Sequence, residues 1–231
     1  MIPVTRAALA AMIDQTLLAA DASPAEIEAF VATAVAYGFG HVCVLPAALP
    51  AARRVTAGTK TGVVAVVSFP LGADLSDVKR ASARAALDRG ADEIDMVVNL
   101  AAARMADGDA VAREVAAVRE GMPPGAILKV IIEMPLLTRY RAVVIARAAE
   151  SGGAQIIKTS TGFKALGIRP TSADDVRLLR SVLKPETGIK AAGGVSSWTQ
   201  AAAMLEAGAT RIGASAGVAI IDEFTAAGAA A

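Results

Sequence analysis

The stretch Gly90-Ala-Asp-Glu-Ile94 has two similar copies later in the chain, Gly153-Ala-Gln-Ile-Ile157 and Gly208-Ala-Thr-Arg-Ile212. In each copy a glycine stands where a helical segment should end, and a short apolar run follows it. Glycine suits the left-handed cap that a tight turn from helix to strand requires. The pattern therefore predicts repeated helix-to-strand units, which are typical of α/β proteins with a parallel sheet.

Strand and helix signals alternate on both sides of these repeats. Helices are predicted to begin after Ser172, with Asp175 as its capping partner, and after Ser197. Apolar runs that predict strands lie at 15–18, 41–45, 63–69, 93–99, 127–133, 155–160, 188–192 and 211–215. Eight such units predict a closed (β/α)8 TIM barrel with a short N-terminal helix. The 231 residues would also suffice for two smaller domains, but we expect a single domain over residues 1–231.

Composition limits the classes of partner and cofactor. Lysine plus arginine (23) nearly balances aspartate plus glutamate (22), and no basic block occurs, so neither a nucleic-acid nor a membrane partner is expected. The one cysteine, Cys43, excludes an internal disulfide, and the one histidine, His41, leaves no cluster at metal-ligand spacing. We expect a cytoplasmic enzyme that needs no metal and no cofactor and acts on a small molecule.

Period-two alternation in the strands places four charged side chains in the barrel interior. These are Asp95, Lys129, Lys158 and Lys190. A buried ammonium group is costly, and lowering a lysine pKa from about 10.4 to about 7 corresponds to roughly 4 to 5 kcal/mol. A neighbouring cation can produce such a shift, and the neutral amine can then form a Schiff base with an aldehyde or ketone. The pattern does not decide which of Lys158 and Lys190 is the nucleophile. The alternative is a salt-bridge network of Asp95 and Glu133 with the lysines that only neutralises the interior.

Glycines after the last two strands predict a phosphate site. Gly193 and Gly194 follow the seventh strand, and Gly213 and Ser215 follow the eighth. The loops after these strands are the usual phosphate site of TIM barrels, where backbone N–H groups meet the anion. The alternative is that the glycines only permit tight turns.

Motifs spread over nearly the whole chain resemble those of one aldolase family. They include Ile13-Asp-Gln-Thr-Leu-Leu18, Leu128-Lys-Val-Ile-Ile-Glu133, Ile157-Lys-Thr-Ser-Thr-Gly-Phe163, Lys190-Ala-Ala-Gly-Gly194 and Arg211-Ile-Gly-Ala-Ser215. In order and context these resemble the 2-deoxyribose-5-phosphate aldolase family, which implies reversible cleavage of 2-deoxy-D-ribose 5-phosphate to acetaldehyde and D-glyceraldehyde 3-phosphate. The resemblance also implies a role in deoxyribonucleotide catabolism and suggests a homodimer.

The resemblance assigns roles that the alternation pattern leaves open. It implies that Lys158 is the Schiff-base lysine, that Lys190 keeps it deprotonated, that Asp95 takes part in proton transfer and that Lys129 supports the carbonyl or hydroxyl chemistry. The phosphate would be held by Gly162, Gly193, Gly194, Gly213 and Ser215. The pocket would be lined by Asp14, Thr16 and Cys43.

Several positions depart from the family pattern. Gln15 stands where a histidine is common, Leu45 where an asparagine is common, and Met134-Pro135 where small or polar residues are common. We expect these changes to make the front of the pocket more apolar. The segment after Gly162 is about three residues longer than a common family form, and no tyrosine lies near the C-terminus. Two other functions therefore stay open: a Schiff-base aldolase with a different donor or acceptor, and a barrel that binds a sugar phosphate without catalysis.

Overall fold

The computed structural model describes residues 5–229, in which strands and helices alternate. The strands are β1 Ile13–Leu17, β2 His41–Val44, β3 Gly62–Val67, β4 Glu93–Val97, β5 Ile127–Ile131, β6 Ile156–Lys158, β7 Gly188–Ala192 and β8 Arg211–Ala214. The α-helices in this range are α1 Arg6–Ala11, α2 Pro24–Tyr37, α3 Leu49–Thr56, α4 Ser76–Asp88, α5 Leu100–Met105, α6 Gly108–Glu120, α7 Arg139–Ser151, α8 Ala173–Val182, α9 Trp198–Glu206 and α10 Gly217–Ala229.

The eight strands form one closed parallel barrel in chain order, with β8 pairing back to β1. The predicted (β/α)8 TIM barrel is thereby confirmed. The predicted short N-terminal helix is α1, which packs against the start of β2, where the Gly40 N–H donates to the Ala10 carbonyl at 3.0 Å. No helix within residues 5–229 is both long and apolar enough to span a bilayer.

The repeated glycines act as the sequence predicts. Gly90, Gly153 and Gly208 have φ angles of +95°, +101° and +108°, and each lies between a helix and the following strand. A side chain at any of the three would be strained by this backbone conformation. The predicted caps are also confirmed: Ser172 forms a capping box with Asp175, and the Ser197 side chain caps α9.

The strands are mostly shorter than predicted because the chain turns early toward the site. β3 ends at Val67, where Ser68 adopts a φ of +53°, and β5 ends at Ile131, before Glu133 at a φ of +48°. β6 has three residues, and β1 begins two residues before its predicted start. The apolar runs therefore continue into loops at the C-terminal end of the barrel, where the backbone leaves the sheet.

The main apolar core lies between the barrel and its helices. Its buried members from β4 and β5 include Ile94, Met96, Leu128 and Val130, the set that alternation predicts to face the helices. The barrel interior contains a second, small cluster of Cys43, Val64 and Val66 with the partly buried Leu18, Leu45 and Phe69. One wall of the interior is therefore apolar, and the charged side chains lie on the other strands.

Candidate active site

Asp95 is the centre of the charged interior and is fully buried. Its Oδ2 atom accepts hydrogen bonds from Lys158 Nζ and Lys190 Nζ, both at 2.8 Å, and its Oδ1 accepts one from Lys129 Nζ at 2.9 Å. The predicted convergence of these four side chains is confirmed. Burial by itself raises the pKa of Asp95, but Lys129, Lys158 and Lys190 together hold this pKa well below its usual range. Asp95 is therefore a carboxylate.

The two candidate lysines differ in their access to the outside. Lys158 ends β6 and lines a cavity of about 380 Å³, with 3% of its surface exposed. Lys190 is fully buried between Asp95 and Asp14. Its Nζ atom lies 2.5 Å from Asp14 Oδ2, and this ion pair does not have the geometry of a hydrogen bond. Burial lowers the pKa of Lys190, but Asp14 and Asp95 outweigh burial and raise this pKa above its ordinary value. Lys190 is therefore a permanent ammonium, and of these two lysines Lys158 is the one that a ligand can reach.

The charged cluster continues toward the N-terminal end of the barrel. Asp14 on β1 accepts a hydrogen bond from Arg211 Nη1 at 2.7 Å, and Glu93 Oε2 on β4 lies 2.6 Å from Lys129 Nζ. His41 Nδ1 lies 2.6 Å from Arg211 Nη1. Barrel interiors are usually filled by Val, Ile and Leu, so this much charge sets the present barrel apart.

Glu133 does not belong to this cluster, so the alternative of a salt-bridge network of Asp95 and Glu133 with the lysines is wrong for Glu133. It is fully buried and accepts hydrogen bonds from Ser160 Oγ and from the Thr161 hydroxyl, the latter at 2.5 Å. The residue lies beyond the end of β5, so its side chain reaches the loop after β6 instead of the lysines. It holds the turn that leads to Gly162, since Ser160 Oγ accepts from the Gly162 N–H at 3.0 Å.

The predicted phosphate residues surround the mouth of the cavity. Gly162, Gly193, Gly194, Gly213 and Ser215 all line it, together with Thr16. Gly162 and Gly193 have φ angles of +71° and +93°, and a Cβ added at Gly162 would lie 3.1 Å from the Gly193 Cα. These two loops can therefore approach each other closely only because both residues are glycine.

Asp14 and Cys43 lie deeper than predicted and are not among the residues that line the cavity. Both are fully buried, and Cys43 Sγ lies 4.0 Å from Asp95 Oδ2. Burial is the largest influence on the Cys43 thiol and raises its pKa. The alternation rule places these side chains on the interior face but does not tell how far down the barrel the open space extends.

The departures Gln15 and Met134 do not make this cavity more apolar, which corrects that expectation. Gln15 lies between two inward residues of β1, so its side chain points outward; its Oε1 accepts from the Gly217 N–H at 2.9 Å and its Nε2 donates to the Ser215 carbonyl at 3.1 Å. Met134 is buried in the outer core. Only Leu45 packs against the apolar cluster inside the barrel.

Four further residues lie in or near the site, although the sequence analysis predicted no role for them. His41, Glu93 and Arg211 each start a strand and share its inward face with Cys43, Asp95 and Gly213, so alternation carries a signal for all three. Lys164 lies on the lengthened segment after Gly162 and, with Lys158, lines the cavity. No periodicity could have found Lys164, because it belongs to a 3-10 turn, Lys164–Leu166, outside the repeating units.

Gly213 makes room for the buried ammonium chain. A Cβ added there would lie 2.8 Å from Lys190 Cε and 3.0 Å from the Ala192 Cβ.

Within residues 5–229, no group of three or more His, Cys, Asp or Glu side chains is arranged to hold a metal ion.

Comparisons with known proteins identify the family. The profile of the DeoC/LacD family aldolases matches residues 8–223. The deoxyribose-phosphate aldolase of Geobacillus sp. strain WCH70 is 43% identical over 218 residues, which cover 94% of this chain and 96% of the relative. That of Lactococcus lactis strain IL1403 is 41% identical over 213 residues, covering 92% of this chain and 95% of the relative. The tetrameric deoxyribose phosphate aldolase of Aeropyrum pernix superposes with a TM-score of 0.88 at 32% identity, covering 96% of this chain and 93% of that one. The resemblance inferred from the motifs is confirmed, and the chain belongs to the DeoC/LacD aldolase family.

Proposed function

We propose that this protein is a class I aldolase that cleaves 2-deoxy-D-ribose 5-phosphate reversibly to acetaldehyde and D-glyceraldehyde 3-phosphate. The observation that carries the proposal is the unequal setting of the two lysines. Lys158 opens onto the cavity, while Lys190 lies behind it, held as an ammonium by two carboxylates. A nucleophilic amine must reach its substrate, and a charge that disfavours its protonation need not.

The first steps build a covalent intermediate on Lys158. Its amine attacks the C1 carbonyl, and loss of water gives an iminium ion. The C3 hydroxyl then loses its proton, the C2–C3 bond breaks, and its electron pair moves to the iminium, leaving an enamine and releasing glyceraldehyde 3-phosphate. Protonation of the enamine at C2 and addition of water release acetaldehyde and restore the amine.

Asp95 is the group placed to move protons at the lysine nitrogen. Its Oδ2 lies 2.8 Å from Lys158 Nζ, a distance suited to direct proton transfer, and transfers to more distant substrate atoms would pass through water. Lys129 and Lys190 keep Asp95 ionised, so it can accept a proton and return it. Lys129 is fully buried and acts through Asp95 in this scheme.

The phosphate would lie at the glycine-lined mouth of the cavity. The loops after β7 and β8 provide Gly193, Gly194, Gly213 and Ser215, and the loop after β6 provides Gly162. Backbone N–H groups at such loops bind anions without bringing a side chain close to the phosphate. Asp14, Thr16 and Cys43 complete the proposal: Thr16 on the wall, and Asp14 and Cys43 beneath it.

The closest competing function is a Schiff-base aldolase with another aldehyde partner. It is favoured by the apolar wall of Cys43, Val64 and Val66, against which Leu45 and Phe69 pack. A barrel that only binds a sugar phosphate does not agree with membership of an aldolase family. We further propose a homodimer, located in the cytoplasm, in which residues 1–231 form one domain.

Reductive trapping tests the central step. The protein is incubated with acetaldehyde, reduced with borohydride, and digested for mass spectrometry. We expect a two-carbon adduct on Lys158 and none on Lys129 or Lys190, because of these three lysines only Lys158 lines the cavity. Modification of Lys190 in place of Lys158, or no active-site adduct at all, would overturn the assigned roles.

Lys164 is predicted to recognise the phosphate. It is exposed, and in residues 5–229 it and Lys158 are the charged side chains that line the cavity. We expect Lys164→Ala to lower kcat/KM for deoxyribose 5-phosphate about 5- to 30-fold, since a charge-assisted contact contributes about 1 to 2 kcal/mol.

The control for this prediction is the unphosphorylated sugar. For 2-deoxyribose, kcat/KM should be equal in the native protein and in Lys164→Ala. A loss of the same size with both sugars would show that Lys164 shapes the site without contacting phosphate. A native enzyme that hardly prefers the phosphorylated sugar would favour the competing function instead.

A further inference from the structure

The N-terminal half of the barrel interior holds ionisable groups that the proposed reaction does not use. Glu93 and Arg211 start β4 and β8, His41 starts β2, and none of them lines the cavity. Arg211 Nη2 lies 3.4 Å from Glu93 Oε1, and His41 Nε2 lies 3.2 Å from the same oxygen. Together with Asp14, these residues form what we term the floor cluster.

His41 is a neutral imidazole in this cluster. Arg211 Nη1 lies 2.6 Å from His41 Nδ1, and a guanidinium can only donate, so Nδ1 must be the accepting, unprotonated nitrogen. The ring hydrogen is therefore on Nε2, facing Glu93. Burial raises the pKa of Glu93, but a hydrogen bond from His41 and the positive charges of Lys129 and Arg211 lower it to about 2, so Glu93 is ionised.

With His41 neutral, the charges of the connected interior can be assigned. The carboxylates are Asp14, Glu93 and Asp95, and the cations that face them are Lys129, Lys190 and Arg211. These charges cancel one another. A protonated Lys158 would add one uncompensated positive charge to a site with little access to water, which is unfavourable. The interior is neutral only when Lys158 is an amine.

Arg211 reaches Lys158 through a continuous chain of ion pairs. Its Nη1 pairs with Asp14 at 2.7 Å, Asp14 pairs with Lys190 at 2.5 Å, and Lys190 shares the Asp95 Oδ2 atom with Lys158. Glu93 reaches the same carboxylate through Lys129, at 2.6 Å and 2.9 Å. Because these groups are buried, salt screens them little. Within residues 5–229, the other ionisable groups that face Lys158 are the buried Cys43 thiol and Lys164, which lines the same cavity.

We propose that Arg211 and Glu93 are positioning residues that keep Lys158 in its amine form by setting the charge of the barrel interior from its N-terminal end. The inference rests on the proposed function of Lys158 as the nucleophile. It extends control of the nucleophile beyond its neighbour Lys190 to residues that never touch the substrate.

The test uses charge changes of opposite sign. Arg211→Gln removes a positive charge, so protonation of Lys158 becomes easier and the acid limb of the kcat/KM profile should move to higher pH. Glu93→Gln removes a negative charge, so the limb should move to lower pH. A unit charge about 10 Å from a titrating group, at an effective dielectric constant of about 20, moves its midpoint by about one pH unit. Arg211→Lys keeps the charge and should restore the native midpoint.

A surface variant is the matched control. Arg54 is 60% exposed and pairs with Glu28 on the outside of the barrel, so Arg54→Gln should leave the profile in place. Midpoints that move in the same direction for Arg211→Gln and Glu93→Gln, or no further than the control, would overturn the proposal. A merely structural role predicts loss of activity without shifts of opposite sign. If Arg211→Gln does not fold, the proposal is tested by Glu93→Gln alone: a midpoint at lower pH supports it, and an unmoved midpoint or one at higher pH contradicts it.

A second readout separates this inference from the proposed function. The rate at which acetic anhydride labels Lys158 is followed by mass spectrometry across the same pH range, and it depends on the free amine alone. Labelling midpoints with the expected signs support the inference even if no adduct with acetaldehyde forms. An acetaldehyde adduct on native Lys158 together with unmoved labelling midpoints would support the proposed function but show that the floor cluster does not control the protonation of Lys158.

Discussion

Replacement of Lys158 by alanine is expected to lower kcat/KM for cleavage of deoxyribose 5-phosphate by at least about a thousandfold, or roughly 4 kcal/mol of transition-state stabilisation. The variant lacks the amine that forms the iminium in the proposed mechanism, and Lys190 cannot replace it, because Lys190 does not line the cavity and is held as an ammonium between Asp14 and Asp95. The loss should appear in kcat, since the glycines proposed to bind the phosphate are unchanged.

Stability distinguishes this chemical effect from unfolding. Lys158 donates a hydrogen bond to Asp95, and Asp95 keeps its contacts with Lys129 and Lys190 in the variant. The midpoint of thermal unfolding should therefore stay close to that of the native protein. Activity within tenfold of native, or a borohydride-trapped adduct on another lysine of a folded variant, would show that the nucleophile lies elsewhere.

Asp95→Asn is expected to remove both activity and a large part of the stability. The substitution leaves the shape of the side chain but removes the carboxylate that faces the ammonium groups of Lys129 and Lys190 and the Nζ atom of Lys158. Breaking a buried ion pair by loss of one partner costs about 3 to 5 kcal/mol, because the remaining charge is uncompensated. Denaturant unfolding near pH 7 should show a loss of this size, and kcat/KM should fall at least about a hundredfold because the proposed proton carrier is absent.

The pH dependence of that stability loss follows from the depressed pKa of Asp95. A carboxylate with a lowered native pKa stabilises the fold fully above its unfolded value, near 4, and loses this contribution as the pH falls through the native value. The difference between the native protein and Asp95→Asn should thus be constant from pH 6 to 8 and become smaller below about pH 4. Asp77, which is 83% exposed, provides the control: Asp77→Asn should cost no more than about 0.5 kcal/mol. A native-sized stability for Asp95→Asn at neutral pH would contradict the central role of this carboxylate.

The period-two alternation of strand residues and the glycines between helices and strands were sufficient to predict the barrel and the charged side chains at its centre. The period of two placed Asp95, Lys129, Lys158 and Lys190 inside, and glycines such as Gly90 marked where strands begin. These signals are local, because each depends on a few neighbouring residues. They did not reveal depth along the barrel axis, which separates Lys158 at the cavity from Lys190 behind it.

Contacts between distant strands were the part that sequence patterns could not predict. Arg211 and Asp14 are 197 positions apart, and Glu133 binds Ser160, which lies 27 residues later. Glu133 was expected near the lysines because the predicted strand ran too far, whereas the backbone leaves the sheet at Ile131. The position of Lys164 depends on a loop with no periodic pattern at all.

Substitutions at Gly213 and substitutions in the apolar wall would have different consequences for the charged interior of this enzyme. The apolar wall on β2 and β3, against which Leu45 and Phe69 pack, contributes no member to the ion pairs, so its side chains can change in size while the charges stay in place. A single methyl group at position 213, in contrast, would displace the chain of Lys190 and alter the electrostatics without any change of charge. Directed evolution of new aldehyde specificities should therefore draw its productive mutations from the apolar wall, and β8 should tolerate almost none at this position.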